Sequence, residues 1–105
     1  MEDRFSAWNG LFTAVKENNL RVLHYLLVNG ANVHLENDHA LWVASKHGKI
    51  DAVKELLEFG ADVNTGNGRA VRDAGSLEVI KMLIAAGANH KTEKLAEERI
   101  KALAK

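Results

Sequence analysis

Five histidines carry the most obvious chemical potential in this chain of 105 residues: His24, His34, His39, His47 and His90. A metal held from one helix face wants two such ligands four residues apart and a third ligand nearby. None of the five has that spacing. His34 and His39 flank a loop and, with Glu36 and Asp38, could meet a cation, which would suit a metal-assisted enzyme using His34, His39 and Asp38. The favoured reading is plainer: solvated loop residues and one helix cap. "GNG" at Gly66 to Gly68 lacks the lysine and the spacing of a phosphate-binding loop, so it reads as a tight turn. No Ser-His-Asp order or carboxylate pair stands out, and Ser45 and Ser76 have packing or capping explanations. With no cysteine, thiolate chemistry and disulfides are absent. No catalytic, metal or cofactor-binding residue is assigned, no cofactor is expected, and an enzyme is not expected.

Charge and hydropathy narrow the classes further. Fourteen basic residues balance fourteen acidic ones, with the signs mixed along the chain. That neutrality gives no general pull toward nucleic acid or an acidic membrane. Arg69, Arg72 and Lys46 suggest a basic patch, but Asp73, Asp38 and Glu36 lie close by and are expected to cancel its field. No apolar run approaches the ~20 residues of a spanning helix. The start "MEDRFSAWNG" is acidic and lacks the apolar stretch of a secretory signal. A soluble, cytoplasmic protein follows as the expectation, without direct contact to nucleic acid or membrane.

The elements that must position these residues are written in a repeat. "LLVNGANVH" at Leu26 to His34, "LLEFGADVN" at Leu56 to Asn64 and "LIAAGANHK" at Leu83 to Lys91 share two aliphatics followed by Gly-Ala and Asn or Asp. Upstream, Leu11, Ala14, Leu20 and Leu26 match Leu41, Ala44, Ile50 and Leu56 at an offset of 30 residues. The third copy begins at Ala70 and lacks three residues before Gly75. That removes a little under one turn at ~3.6 residues per turn, so its first helix should be short or distorted. Within each copy the aliphatics fall at helical intervals, as in Leu20, Leu23, Leu26 and Leu27. Gly30, Gly48, Gly60 and Gly87, with Asn18, sit where a left-handed residue closes a helix. Asn19, Asp38 and Ser76 are expected N-caps. No stretch alternates with period two, so no sheet is expected.

A helix pair of about 30 residues that closes on Gly-Ala-Asp/Asn-Val-Asn resembles the ankyrin repeat. The family's "TPLHxAAxxGH" opening is degraded here to "HALWVASKHGK", with Ala40 for the proline and Trp42 for the histidine, while Leu41, Ala44 and Gly48 are kept. The loss of threonine and proline resembles divergent repeats of short phage, bacterial and large-virus proteins. The resemblance implies an all-α solenoid of about three helix-turn-helix units with a C-terminal capping helix. The units are expected at about residues 10–39, 40–69 and, shortened, 70–91, within one domain over residues 1–105. A stack exposes an apolar face at each end. Leu95, Arg99, Ile100 and Leu103 form one helical stripe in a capping helix over Thr92 to Ala104, within residues 92–105. Phe5, Trp8 and Leu11 are placed to cover the other end.

Family likeness also places the binding surface, on the concave face and loop tips. Phe12, Trp42 and Arg72 occupy equivalent slots, followed by Thr13, Val43 and Asp73. Lys16, Lys46, Glu36, Asn37, Asp38, His39, Asn67 and Arg69 complete the candidate surface. Trp42 is either a large residue packed beneath its own loop or an aromatic anchor for a partner. The leading expectation is therefore a non-enzymatic module, monomeric, that binds one partner protein and acts by blocking, bridging or masking it. With no room for a second domain, binding would be its whole action. The phage-like style extends this to an inhibitor of a host defence protein, such as a CRISPR effector, working in the host cytoplasm. The rival is a self-assembling scaffold, a homodimer through Leu95, Ile100 and Leu103.

Overall fold

The computed structural model describes residues 3–104, with side chains from Gly10 onward. Seven helices follow one another: α1 (Asp3–Lys16), α2 (Leu20–Val28), α3 (Leu35–Lys46), α4 (Ile50–Glu58), α5 (Thr65–Arg72), α6 (Leu77–Ala85) and α7 (His90–Leu103). No strand occurs among the described residues. The expected cover by Phe5 and Trp8 falls on side chains outside the described ones.

Two layers result. The inner helices α1, α3, α5 and α7 pack side by side, and α2, α4 and α6 form the outer layer against them. The stack is elongated, 46 × 22 × 17 Å. Its core repeats as the sequence does. Leu11, Leu41 and Val71 are fully buried from successive inner helices, and Leu23, Val53 and Ile80 from successive outer ones. Each such side chain contributes roughly 1.5–3 kcal/mol by leaving water. The helices pack within pairs and across units alike, and in such a stack each unit relies on its neighbours to bury its apolar face. At the far end α7 closes the stack through Thr92, Ala96 and the half-buried Leu95, while Ile100 and Leu103 stay partly exposed.

Helix ends follow the local chemistry. Asn19 accepts the Val22 N–H at 3.3 Å and Ser76 accepts the Val79 N–H at 3.2 Å. Gly30, Gly60 and Gly87 have φ of 94°, 94° and 116° just past the outer helices, a region open to glycine. One feature departs from expectation. Asp38 is not an N-cap: with Glu36 and Asn37 it forms a left-handed first turn in α3, φ 53–56°. Its carboxylate leaves its own helix. It accepts the Asp62 N–H at 2.9 Å and the Thr65 hydroxyl at 3.1 Å, both from the next unit. Gly66, Asn67 and Gly68 make the matching left-handed turn in α5, so "GNG" is a turn and α5 runs right-handed only from Arg69.

The three-residue deletion is absorbed at Gly75. There α5 ends early and the Gly75 N–H donates to the Ser45 carbonyl of α3 at 2.8 Å. A Cβ at Gly75 would lie 2.4 Å from the Lys46 carbonyl oxygen, which is backbone and cannot yield. Gly75→Ala is therefore expected to cost about 2 kcal/mol or more. Gly10→Ala, inside α1, would meet only the tip of Leu26 at 3.3 Å. Helix propensity favours that change by up to about 1 kcal/mol, so it should stay within about 1 kcal/mol of wild type. Urea unfolding of both variants checks the contrast; equal effects would exclude the backbone clash.

Candidate functional site

The last two turns of the inner helices α1, α3 and α5 carry Phe12, Trp42 and Arg72. These side chains are joined through intermediates. The His39 ring lies 4.7 Å from Phe12 and 5.3 Å from Trp42, centroid to centroid. Trp42 Nε1–H donates to Asp73 Oδ2 at 2.8 Å. Arg72 donates from its Nη2 to the same oxygen at 3.2 Å. Phe12, His39, Trp42, Asp73 and Arg72 thus form one line of contacts across three units.

Two cations sit on the indole. Lys46 Nζ is 5.0 Å from the Trp42 ring centroid and the Arg69 guanidinium 4.9 Å. Arg69 is held by backbone: its Nη2 donates to the carbonyls of Glu36 and Asn37 at 2.9 and 3.0 Å. It therefore ties the left-handed turn of one unit to the helix of the next and lies against Trp42 as it does so. Trp42 is half-buried, against Arg69 of the next inner helix, α5.

Local electrostatics follow from these neighbours. The hydrogen bond from Arg72 holds the Asp73 carboxyl below its usual range against the opposing effect of burial. The Trp42 N–H and the positive charges of Arg72 and Lys46 add to the lowering. Burial lowers the His39 pKa, the charge of Arg69 lowers it further, and Glu36 opposes them.

The remaining candidate residues are less alike than the sequence suggests. Thr13, Lys16, Lys46, Glu36, Asn37 and Asn67 are exposed. Val43 is half-buried against the core. Asp38 is 4% exposed, so it belongs to the loop framework and is not a tip offered to solvent. His34 pairs with Asp38 at 3.0 Å while His39 faces Phe12 and Trp42, so the two do not converge on a shared ion. Among the described residues no group of three or more His, Asp or Glu side chains is placed to hold a metal. The sequence reading placed His39 at a loop tip and missed its place between two rings. Its spacing of three residues from Trp42, and that of Lys46 four residues beyond, put all three on one helical stripe.

The family model for ankyrin repeats, in three copies, matches residues 11–94. An ankyrin repeat protein of Acanthamoeba polyphaga mimivirus is 36% identical over an alignment covering 72% of this chain and 30% of its own length. The Homo sapiens ankyrin repeat and SOCS box protein 11 is 35% identical, over 74% of this chain and 27% of its own. Alpha-latrocrustotoxin-Lt1a of Latrodectus tredecimguttatus is 36% identical, over 73% of this chain and 6% of its own. No solved structure matches the chain. Among the described residues no helix is long and apolar enough to cross a membrane.

His39 gives the site a pH dependence. Its folded pKa lies below its unfolded value of about 6.5, so protonation favours the unfolded chain. Its contribution to stability is full above about pH 6.5 and declines as the pH falls toward the folded value. His39→Gln should lose less stability than wild type between about pH 7 and about pH 5.5. Urea midpoints at the two pH values measure this; an unchanged difference would remove the effect from His39.

Proposed function

The chain belongs to the ankyrin-repeat family, and we propose that it acts by binding one partner protein along its concave face, with Phe12, Trp42 and Arg72 at the centre of the contact. Ankyrin repeats in general mediate protein–protein interaction and are not enzymes. The observation that carries the reading here is the unbroken line from Phe12 through His39, Trp42 and Asp73 to Arg72. Aromatic and arginine side chains are the types enriched at interface centres. Here they are held by hydrogen bonds and stacking before a partner arrives, which lowers the entropy lost on binding. Thr13, Lys16, Lys46, Glu36, Arg69 and the exposed edge of His39 form the surround. Occupation of the partner's surface is the action: blocking it, bridging it or masking it.

The chain spans less than a third of the length of the relatives described above. None of their names speaks of a host defence target, so inhibition of a CRISPR effector has no support beyond the style of the repeats. A homodimer through α7 is the second reading. It is favoured by Ile100 and Leu103, each 37% exposed on the last helix. Leu95 contributes less to such a face, since it is half-buried against the core.

An affinity capture from host lysate, read by mass spectrometry, tests the first reading with wild type and a Trp42→Ala, Arg72→Ala double variant shown to be folded by circular dichroism. A partner held by wild type should be lost by the variant, with an affinity drop of roughly a hundredfold, about 3 kcal/mol, typical of two central residues. Equal retention would move the site off the concave face. No partner, together with a dimer by light scattering, would favour self-association.

A further inference from the structure

The last turns of the helices divide by layer. Lys16 ends α1, Lys46 ends α3, Arg69 and Arg72 end α5, and Lys101 lies in the last turn of α7. The outer helices α2, α4 and α6 have no basic residue in their last turns. Attraction between a cation and the negative end of a helix dipole would apply to every helix equally. The bases occur only in the inner layer, so the dipole does not account for them.

Two of the three acids expected to cancel this charge are engaged, and the third, Glu36, is exposed beside Arg69. The Asp38 carboxylate is buried between Asp62, Thr65 and His34. Asp73 serves Trp42 and Arg72. Among the described residues Lys16 and Lys46 form no ion pair with a carboxylate, and the Arg72 side chain remains 54% exposed. Glu17 follows Lys16 directly, and Glu98 lines a shallow hollow with Arg72 and Arg99. Those two acids temper the row at its ends and Asp73 pairs with Arg72, so among the described residues Lys16 and Lys46 are its cations without an ion pair. The lowered pKa values of Asp73 and His39 both have nearby cations among their causes.

Resting on the concave-face reading above, we propose that Lys16, Lys46 and Arg72 form a cation row that takes an extended, acidic segment of the partner protein. Helices α1, α3 and α5 are neighbours, and packed helix axes lie roughly 8–10 Å apart. An extended polyproline-II segment rises about 3.1 Å per residue with three residues per turn, so carboxylates at every third residue share one face about 9 Å apart and match that interval. A helical ligand, rising about 1.5 Å per residue, would need one every six or seven residues. Nucleic acid fits less well. A duplex strand carries a charge about every 3.4 Å, far denser than this row, and the chain as a whole is neutral. The rings of Phe12, His39 and Trp42 lie beside the row and can pack the apolar parts of the segment.

Fluorescence anisotropy with the full chain tests this. The probes are a labelled twelve-residue peptide with Glu at every third position, its Gln counterpart, and a single-stranded RNA of equal length. The Glu peptide should bind at least about tenfold more tightly than the Gln peptide at low salt, and more tightly than the RNA. A Lys16→Ala, Lys46→Ala, Arg72→Ala variant, folded by circular dichroism, should abolish the difference. Neutralising Lys54 and Lys81 of the outer layer should not. Equal binding of the two peptides, tighter binding of the RNA, or full retention by the inner-row variant would each overturn the proposal. If the peptides do not discriminate while a captured partner still depends on Trp42 and Arg72, the acidic segment fails and the concave-face reading stands. If that dependence is lost as well, both fail.

Discussion

A single buried carboxylate joins the first turn of α3 to the loop before α5 and to the first residue of α5. Asp38 accepts a backbone N–H from Asp62 and a hydroxyl from Thr65. It also lies against His34 of its own loop. A charge removed from water is tolerated only when its oxygens are satisfied, and these are. The geometry requires Asp38 to leave the right-handed helix, and it does so in a left-handed turn shared with Glu36 and Asn37. For residues with a side chain that turn costs about 1–2 kcal/mol each. The carboxylate's bonds offset part of it, and Arg69 offsets more by donating to the Glu36 and Asn37 carbonyls. Arg69 is thereby fixed against Trp42. The loop framework and the concave face are one construction.

The next junction solves the same problem with different residues. Asn64 donates to the Gly87 carbonyl at 3.1 Å and accepts the Asn89 N–H at 2.9 Å. The turn at Gly66–Gly68 is left-handed again, but glycine now stands where Asp38 stood. The reason is the last helix. A Cβ at Gly68 would lie 2.9 Å from Thr92 Oγ1 and 3.1 Å from Leu95, both on α7. Closing the stack requires α7 to approach this turn more closely than α5 approaches the turn before it. Glycine supplies both the positive φ and the room.

Much of the architecture was legible in the sequence because it rests on periodicity and on glycine. The helix pairs, their left-handed ends at Gly30, Gly60 and Gly87, and the caps at Asn19 and Ser76 all follow from residue types with few alternatives. The turn at Glu36–Asp38 was hidden because "LEND" contains no glycine; only its alignment with "TGNG" thirty residues later hints at it. Asp38 was recognised as a residue that must accept backbone hydrogen bonds, but the donors belong to the next unit and not to its own helix. Short polar residues make both kinds of bond, and sequence spacing does not separate them. The same limit applied to charge. Arg69, Arg72, Asp73 and Asp38 look self-cancelling when read along the chain, yet Asp38 points into the core and Arg69 is spent on carbonyls.

What the concave face retains after these internal bonds is informative. Trp42 has its N–H satisfied by Asp73, and two cations and an imidazole lie close to its ring. A tryptophan so engaged is held in a fixed position before any partner arrives. In the proposed contact it would bring area and shape with little conformational entropy left to lose. The cost is specificity of another kind: with its one donor already used, the indole cannot supply a directional hydrogen bond. Discrimination in that contact would fall to the cationic groups beside it, Lys46 and Arg72. In the proposed contact a fixed aromatic line would supply adhesion and the cations at its edge, Lys46 and Arg72, selection. That division would also explain why the scaffold repeats faithfully at Leu11, Leu41 and Val71 while the adjacent slots hold Phe12, Trp42 and Arg72. Burial constrains the first set to aliphatic residues, and partial exposure leaves the second set free to differ.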